Sequence, residues 1–83
     1  MVQFADLKTG DKIARRKVEL VDGELVRSHY PTKVVRSAVT NPVGGTRSVW
    51  LGDAAREDPL GYWLHDLQFT TVEDELSRWD KVE

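Results

Sequence analysis

The chain has 83 residues, 40% of them apolar and 31% charged, with a formal net charge of −2 and no cysteine. A chain of that length holds one domain around a single modest core. The missing cysteines exclude a disulfide framework, thiolate metal sites and thiol catalysis, and they fit a reducing, cytoplasmic compartment. No uncharged apolar run approaches the ~20 residues of a membrane helix, and the opening MVQFADLKTGD carries an acid at Asp6 instead of an apolar leader. Membrane spanning and secretion are therefore not expected.

The small net charge hides an asymmetry. Residues 1–47 hold nine Lys/Arg against five Asp/Glu, a balance of +4, whereas residues 48–83 hold three against nine, a balance of −6. In one small domain, halves of opposite sign are expected to lie against each other or to form two poles.

In chain order, the Gly10-Asp11 turn leads into a strand through Ile13, Val18, Leu20 and Val21. Asp22-Gly23 tolerates the two positive φ angles of a type I′ turn, so VELVDGELVR reads as a hairpin. A two-residue loop sets Leu20 opposite Leu25 and Val18 opposite Arg27 on one face, with Val21 opposite Glu24 and Glu19 opposite Val26 on the other. Neither face is cleanly apolar, the pattern of a strand pair whose ends serve different sides of a bending sheet. Pro31 ends that pair. The β-branched stretch 32–40 predicts a third strand, Gly44-Gly45 a turn, and TRSVWL (46–51) a fourth strand. Residues 52–61, with glycines at both ends and Pro59, predict the longest loop, with room for one helical turn from Asp53.

Residues 62–69, YWLHDLQF, return to alternation, which sets Trp63, His65, Leu67 and Phe69 on one side as the better core face. The period then changes. Val72, Leu76 and Trp79 recur at i, i+4 and i+7, and Thr71 with Asp74 has the form of a capping box, so a helix is expected over about 72–80. Glu73 and Asp74 in its first turn suit the positive end of the helix dipole. The fold class is mainly β: a small antiparallel barrel or bent sheet of about five strands with a short C-terminal helix, spanning 1–83 as one domain. The lead-in FADLKTGDKI, an apolar residue, a leucine and then Gly-Asp running into the first strand, resembles that of SH3-like small barrels, as found in adaptor modules, translation-associated domains and small phage-encoded proteins. What the resemblance implies is a fold and a tendency toward binding.

The chemistry is sparse. His65 and Asp66 are strand neighbours that point to opposite faces, so the carboxylate does not orient the ring, and nucleophilic catalysis needs such a relay. His29 and His65 lie 36 residues apart with no paired-ligand motif around either, and the glycines form no phosphate-binding or dinucleotide fingerprint. A domain this small also leaves little space for a substrate cleft, so no catalytic residue, metal or cofactor is assigned. Binding remains. Arg15, Arg16, Lys17, Arg27, Lys33 and Arg36 lie on three consecutive strands, and Tyr30 or Trp50 offer rings for base stacking, which makes single-stranded nucleic-acid binding the alternative function. The preferred function is a noncatalytic protein-interaction module, with Trp50, Tyr62 and Trp79 as anchors and the acids Glu73 and Asp74 facing a basic partner. Small phage proteins that bind or inhibit a host protein are one form this takes in the fold class that the lead-in resembles. An exposed strand edge would also allow a homo-oligomer.

Overall fold

A computed structural model describes residues 1–54 and 61–83. Its order is a short 3-10 turn (Phe4–Asp6), then β1 (Lys12–Val21), β2 (Glu24–His29), β3 (Lys33–Thr40), β4 (Arg47–Asp53), β5 (Tyr62–His65), α1 (Val72–Leu76) and β6 (Trp79–Lys81). All strand pairings are antiparallel, in the order β2-β1-β3-β4-β5 with β6 on β1. The mainly β class and the single short helix match the sequence expectation. The sheet is open: β5 and β6 do not pair, so the bent-sheet form of that expectation holds and barrel closure does not.

The turn chemistry read from the sequence operates as expected. Asp22 and Gly23 take φ of 51° and 81°, and the hairpin register is Leu20↔Leu25, Val18↔Arg27, Glu19↔Val26 and Val21↔Glu24. At the lead-in, the Asp11 carboxylate accepts from the Lys8 N–H at 2.9 Å and the Gly10 N–H donates to the Val35 carbonyl at 2.7 Å, which staples the loop to β3. Ile13, Val35, Val49, Leu51, Val72 and Leu76 are essentially inaccessible, with Val2, Leu7, Ala14 and Trp79 also buried. The core therefore lies between one face of β1, β3 and β4 and the covering layer of N-terminus, α1 and β6.

Two expectations are corrected. The helix stops at Leu76 and Trp79–Lys81 is a strand. The Thr71 cap forms, its Oγ1 accepting from the Asp74 N–H at 3.1 Å, but after Ser77 the chain meets the open edge of β1. There the Arg16 N–H donates to the Arg78 carbonyl at 2.8 Å and the Val82 N–H donates to the Lys12 carbonyl at 2.9 Å. Strand pairing satisfies these groups and still turns Trp79 inward, so the apolar stripe is kept while its period changes. The second correction concerns residues 62–69. β5 ends at His65, and its register sets Leu64 opposite Val49, so Leu64 packs on the core. Trp63, Leu67 and Phe69 are exposed, Phe69 at 92% in the tight turn closed by the Leu67–Thr70 bridge. An edge strand of four residues puts two side chains on each face, here Tyr62 and Leu64 on the inner one with Leu64 packed against the core, and alternation cannot say which parity faces inward.

Gly52 and Asp53 belong to β4, so the predicted 52–61 loop starts later than expected; its helical turn and the acids Glu57 and Asp58 lie outside the described residues. Two glycines make room for large side chains on the sheet's outer face. A Cβ at Gly52 would run into the Arg36 guanidinium, whereas one at Gly61 would meet the Leu51 carbonyl oxygen and the Trp50 Nε1, the latter at 2.6 Å. An exposed arginine swings aside and a backbone carbonyl does not. Gly61→Ala is therefore expected to lower stability by about 2 kcal/mol and Gly52→Ala by well under about 1 kcal/mol, a contrast that paired urea denaturation curves would read directly. No helix among the described residues is long and apolar enough to cross a membrane.

Candidate functional site

Among the described residues, the most exposed regular structure is the outer part of the first hairpin. Backbone groups alternate between the two edges of a strand. The carbonyls of Asp11 and Arg15 accept from Val35 and Tyr30 on one edge of β1, while Lys12 and Arg16 are engaged by Val82 and Arg78 on the other. Beyond Arg16 only β2 accompanies β1, so residues 17–28 form a two-stranded ribbon, in a molecule 49 Å long and 21 Å thin. Every residue of β2 is exposed. Val18, Leu20 and Leu25 share one face at 59%, 71% and 68% exposure, and Val21 and Val26 share the other.

The ribbon's root is electrostatically pinned. The Asp80 carboxylate receives Arg16 Nη1 at 2.8 Å and His29 Nε2 at 3.0 Å, and the Arg16 guanidinium also donates to the Ser77 carbonyl. The bond to His29 and those to the N-terminal ammonium and Arg16 lower the Asp80 pKa to about 2. Arg16, His29 and Asp80, with Val18, Leu25 and Arg27, line a hollow of about 390 Å³ at the ribbon's root. On the opposite face Lys17 pairs with Glu19 at 2.6 Å and stands 5.3 Å from the centre of the Tyr30 ring.

A second concavity, of about 360 Å³, lies where the ribbon joins the sheet and is lined by Arg15, Tyr30, Pro31, Lys33, Tyr62 and Trp79. It unites residues that the sequence assigned to different functions. Beside it Glu75 accepts from Arg15 Nε at 3.1 Å and Trp79 Nε1 at 3.2 Å. Burial opposes ionisation of Glu75, but the bonds from Trp79 and Arg15 outweigh it and hold the carboxyl below its ordinary value. Burial, and then the charge of Glu75, raise the Tyr62 hydroxyl.

On the outer face Trp50 and Trp63 meet edge to face at 4.9 Å, and His65 joins Trp63, Val39, Thr40, Asn41, Pro42, Thr46 and Ser48 around a third hollow. That lining contains no acid. His65, the last residue of β5, is exposed there and outside the core. Among the described residues no group of three His, Cys, Asp or Glu is placed to hold a metal ion.

The sequence-derived candidates divide accordingly. Trp79 is buried and structural, Trp50 is half-buried, and Tyr62 remains 43% exposed. Glu73 is held by the Arg47 guanidinium, and Asp74 sits exposed in the first turn of α1. Of the basic set, Arg15, Arg16 and Lys17 are each paired with an acid: Glu75, Asp80 and Glu19. Arg15 and Arg16 turn to opposite faces, as strand alternation requires. Among the described residues Arg27, Lys33 and Arg36 form no ion pair, but they stand on the ribbon, in the aromatic concavity with Lys33 6.0 Å from the Tyr62 ring, and over Gly52. The acidic C-terminal half thus holds Arg15, Arg16 and Arg47 of the basic N-terminal half. Sequence reasoning looked to aromatics and missed the aliphatic ribbon; the available signal was the pair of hairpin faces that no core position claimed.

No family model, curated protein or solved structure matches this chain.

Proposed function

We propose that the chain is a noncatalytic protein-interaction module whose working surface is the β1–β2 ribbon. One observation carries the reading: five aliphatic side chains are exposed on a segment that contributes nothing to the core. A two-stranded ribbon is marginal on its own in water and gains most from a covering partner, and a contiguous apolar face rimmed by charge is the usual form of a protein-binding surface. The likeness of FADLKTGDKI to the lead-in of SH3-like domains adds the same tendency, and a chain without cysteine suits a reducing cytoplasm.

Nucleic acid is the weaker fit. Phosphate tracking wants cations aligned along a groove, whereas three of the six predicted cations are held by acids and the other three stand at separate places. The test has two arms. A photo-crosslinker at Leu25 is expected to yield a protein adduct in a lysate of the source cells, and the same group at Val43, which is 81% exposed elsewhere, is not. Labelled oligothymidylate at low salt is expected to show no saturable binding. Saturable binding that falls steeply with salt and is lost in Arg27→Ala/Lys33→Ala would replace this reading with the nucleic-acid one.

A further inference from the structure

The ribbon's leucine-bearing face is built to fit itself. Its middle is apolar, with Val18, Leu20 and Leu25; the turn at its tip carries the acid Asp22; its root carries the cation Arg27 and, beyond it, Arg16 held by Asp80, whereas Glu24 lies on the opposite face across from Val21. Arg27 and Asp22 form no ion pair among the described residues, although they flank Leu20 and Leu25. A two-fold axis reverses the ribbon's direction, so it brings each acidic tip over the other copy's basic root while the apolar middles meet. A C2 contact requires that kind of self-complementarity: the same patch on both sides, with every unlike pair made twice.

We infer that the partner of this ribbon is a second copy of the chain, packed face to face and antiparallel about an axis near Leu20 and Leu25. Arg27 of each copy then stands over the Asp22-Gly23 turn of the other and its Asp22 carboxylate. The inference rests on the ribbon being the working surface and specifies what covers it. The contact converts two lone ribbons into a small four-stranded layer pair, which is what an exposed two-stranded element lacks. The opposite face does not offer this pattern. There Lys17 is already paired with Glu19, and the apolar side chains are two half-exposed valines.

Because the chain has no cysteine, single introduced thiols report the geometry cleanly. Light scattering across a concentration series is expected to show a monomer–dimer equilibrium. Leu25→Cys should form a disulfide-linked dimer under mild oxidation, and Val26→Cys, one residue away on the other face, should not. Arg27→Glu and Asp22→Lys, taken singly, should each weaken dimerisation at least tenfold, and the double variant should restore it, a rescue that a change confined to the Asp22-Gly23 turn or any other purely structural role would not produce. A chain that stays monomeric at millimolar concentration, a Val26→Cys crosslink as strong as that of Leu25→Cys, or absence of charge-swap rescue overturns the inference. If the chain is monomeric yet a crosslinker at Leu25 captures a different protein, this inference fails and the interaction reading stands. If it captures nothing, both fail.

Discussion

Replacing Trp79 by alanine is expected to lower unfolding stability by about 3–5 kcal/mol, a loss comparable to the whole stability of many domains this small. Trp79 is 4% exposed, packs in the core with Ile13 and Leu76, and ties β6 to the open edge of β1 through the Trp79↔Arg15 pairing. Its indole Nε1 also donates to Glu75, which in turn holds Arg15. Truncation removes the largest buried side chain of the covering layer and leaves Glu75 with one bond fewer. Urea denaturation followed by circular dichroism reads the effect. A Trp79→Ala chain that melts like the parent would mean that the tryptophan is a contact residue, against the packing described.

Asp66→Ala should be the next most damaging polar change, at about 2–3 kcal/mol, because hydrogen bonds to a charged acceptor are strong and their donors stay behind. One oxygen of Asp66 accepts from the Val72 N–H at the start of α1 and the other accepts from the Arg47 N–H at 3.2 Å at the start of β4. A single carboxylate thus joins the end of β5 to the first residues of both elements. The bond from Val72 leads the causes that hold its pKa below the ordinary value, with burial opposing.

The sign of the resulting pH dependence follows. Asp66 and Asp80 both bind protons less readily in the folded chain than in the unfolded one, so stability rises with pH where only the unfolded form is protonated. Their contribution is complete above the unfolded carboxyl value near ~4 and is lost as pH falls through the folded values, which for Asp80 is about 2. Unfolding free energies measured between pH 6 and pH 2 should fall, and Asp66→Asn should flatten part of that fall. An unchanged profile in the variant would show that Asp66 carries none of it.

The parts of the fold that were legible in the sequence are those governed by local stereochemistry. Asp22-Gly23 can satisfy two positive φ angles, and that fixed both the hairpin and its register. Thr71 and the stripe of Val72, Leu76 and Trp79 marked the helix start and the buried face. The errors fell where a distant element decides between local options. Trp79 joined a strand because the edge of β1 was open beside it, and Leu64 displaced Trp63 from the core because β4 set the parity of β5. The largest surprise has the same origin. Only Trp79 of the seven aromatics is buried, since aliphatic residues from β1, β3, β4 and α1 fill the small core without the others. The unclaimed faces of the first hairpin were visible in the sequence as mixed alternation, but sequence alone could not distinguish a bending sheet from a ribbon that outruns its neighbours.

Shortening the ribbon tests whether it is surface or scaffold. Lys17 and Ser28 face each other across the ladder, so residues 18–27 can be replaced by Asn-Gly without disturbing the strands below. Measured in dilute solution, the unfolding free energy of the shortened chain should lie within about 1 kcal/mol of the intact one, since no core side chain has been removed. A loss of several kcal/mol would place the ribbon inside the cooperative fold and contradict its role as a surface held out for a partner.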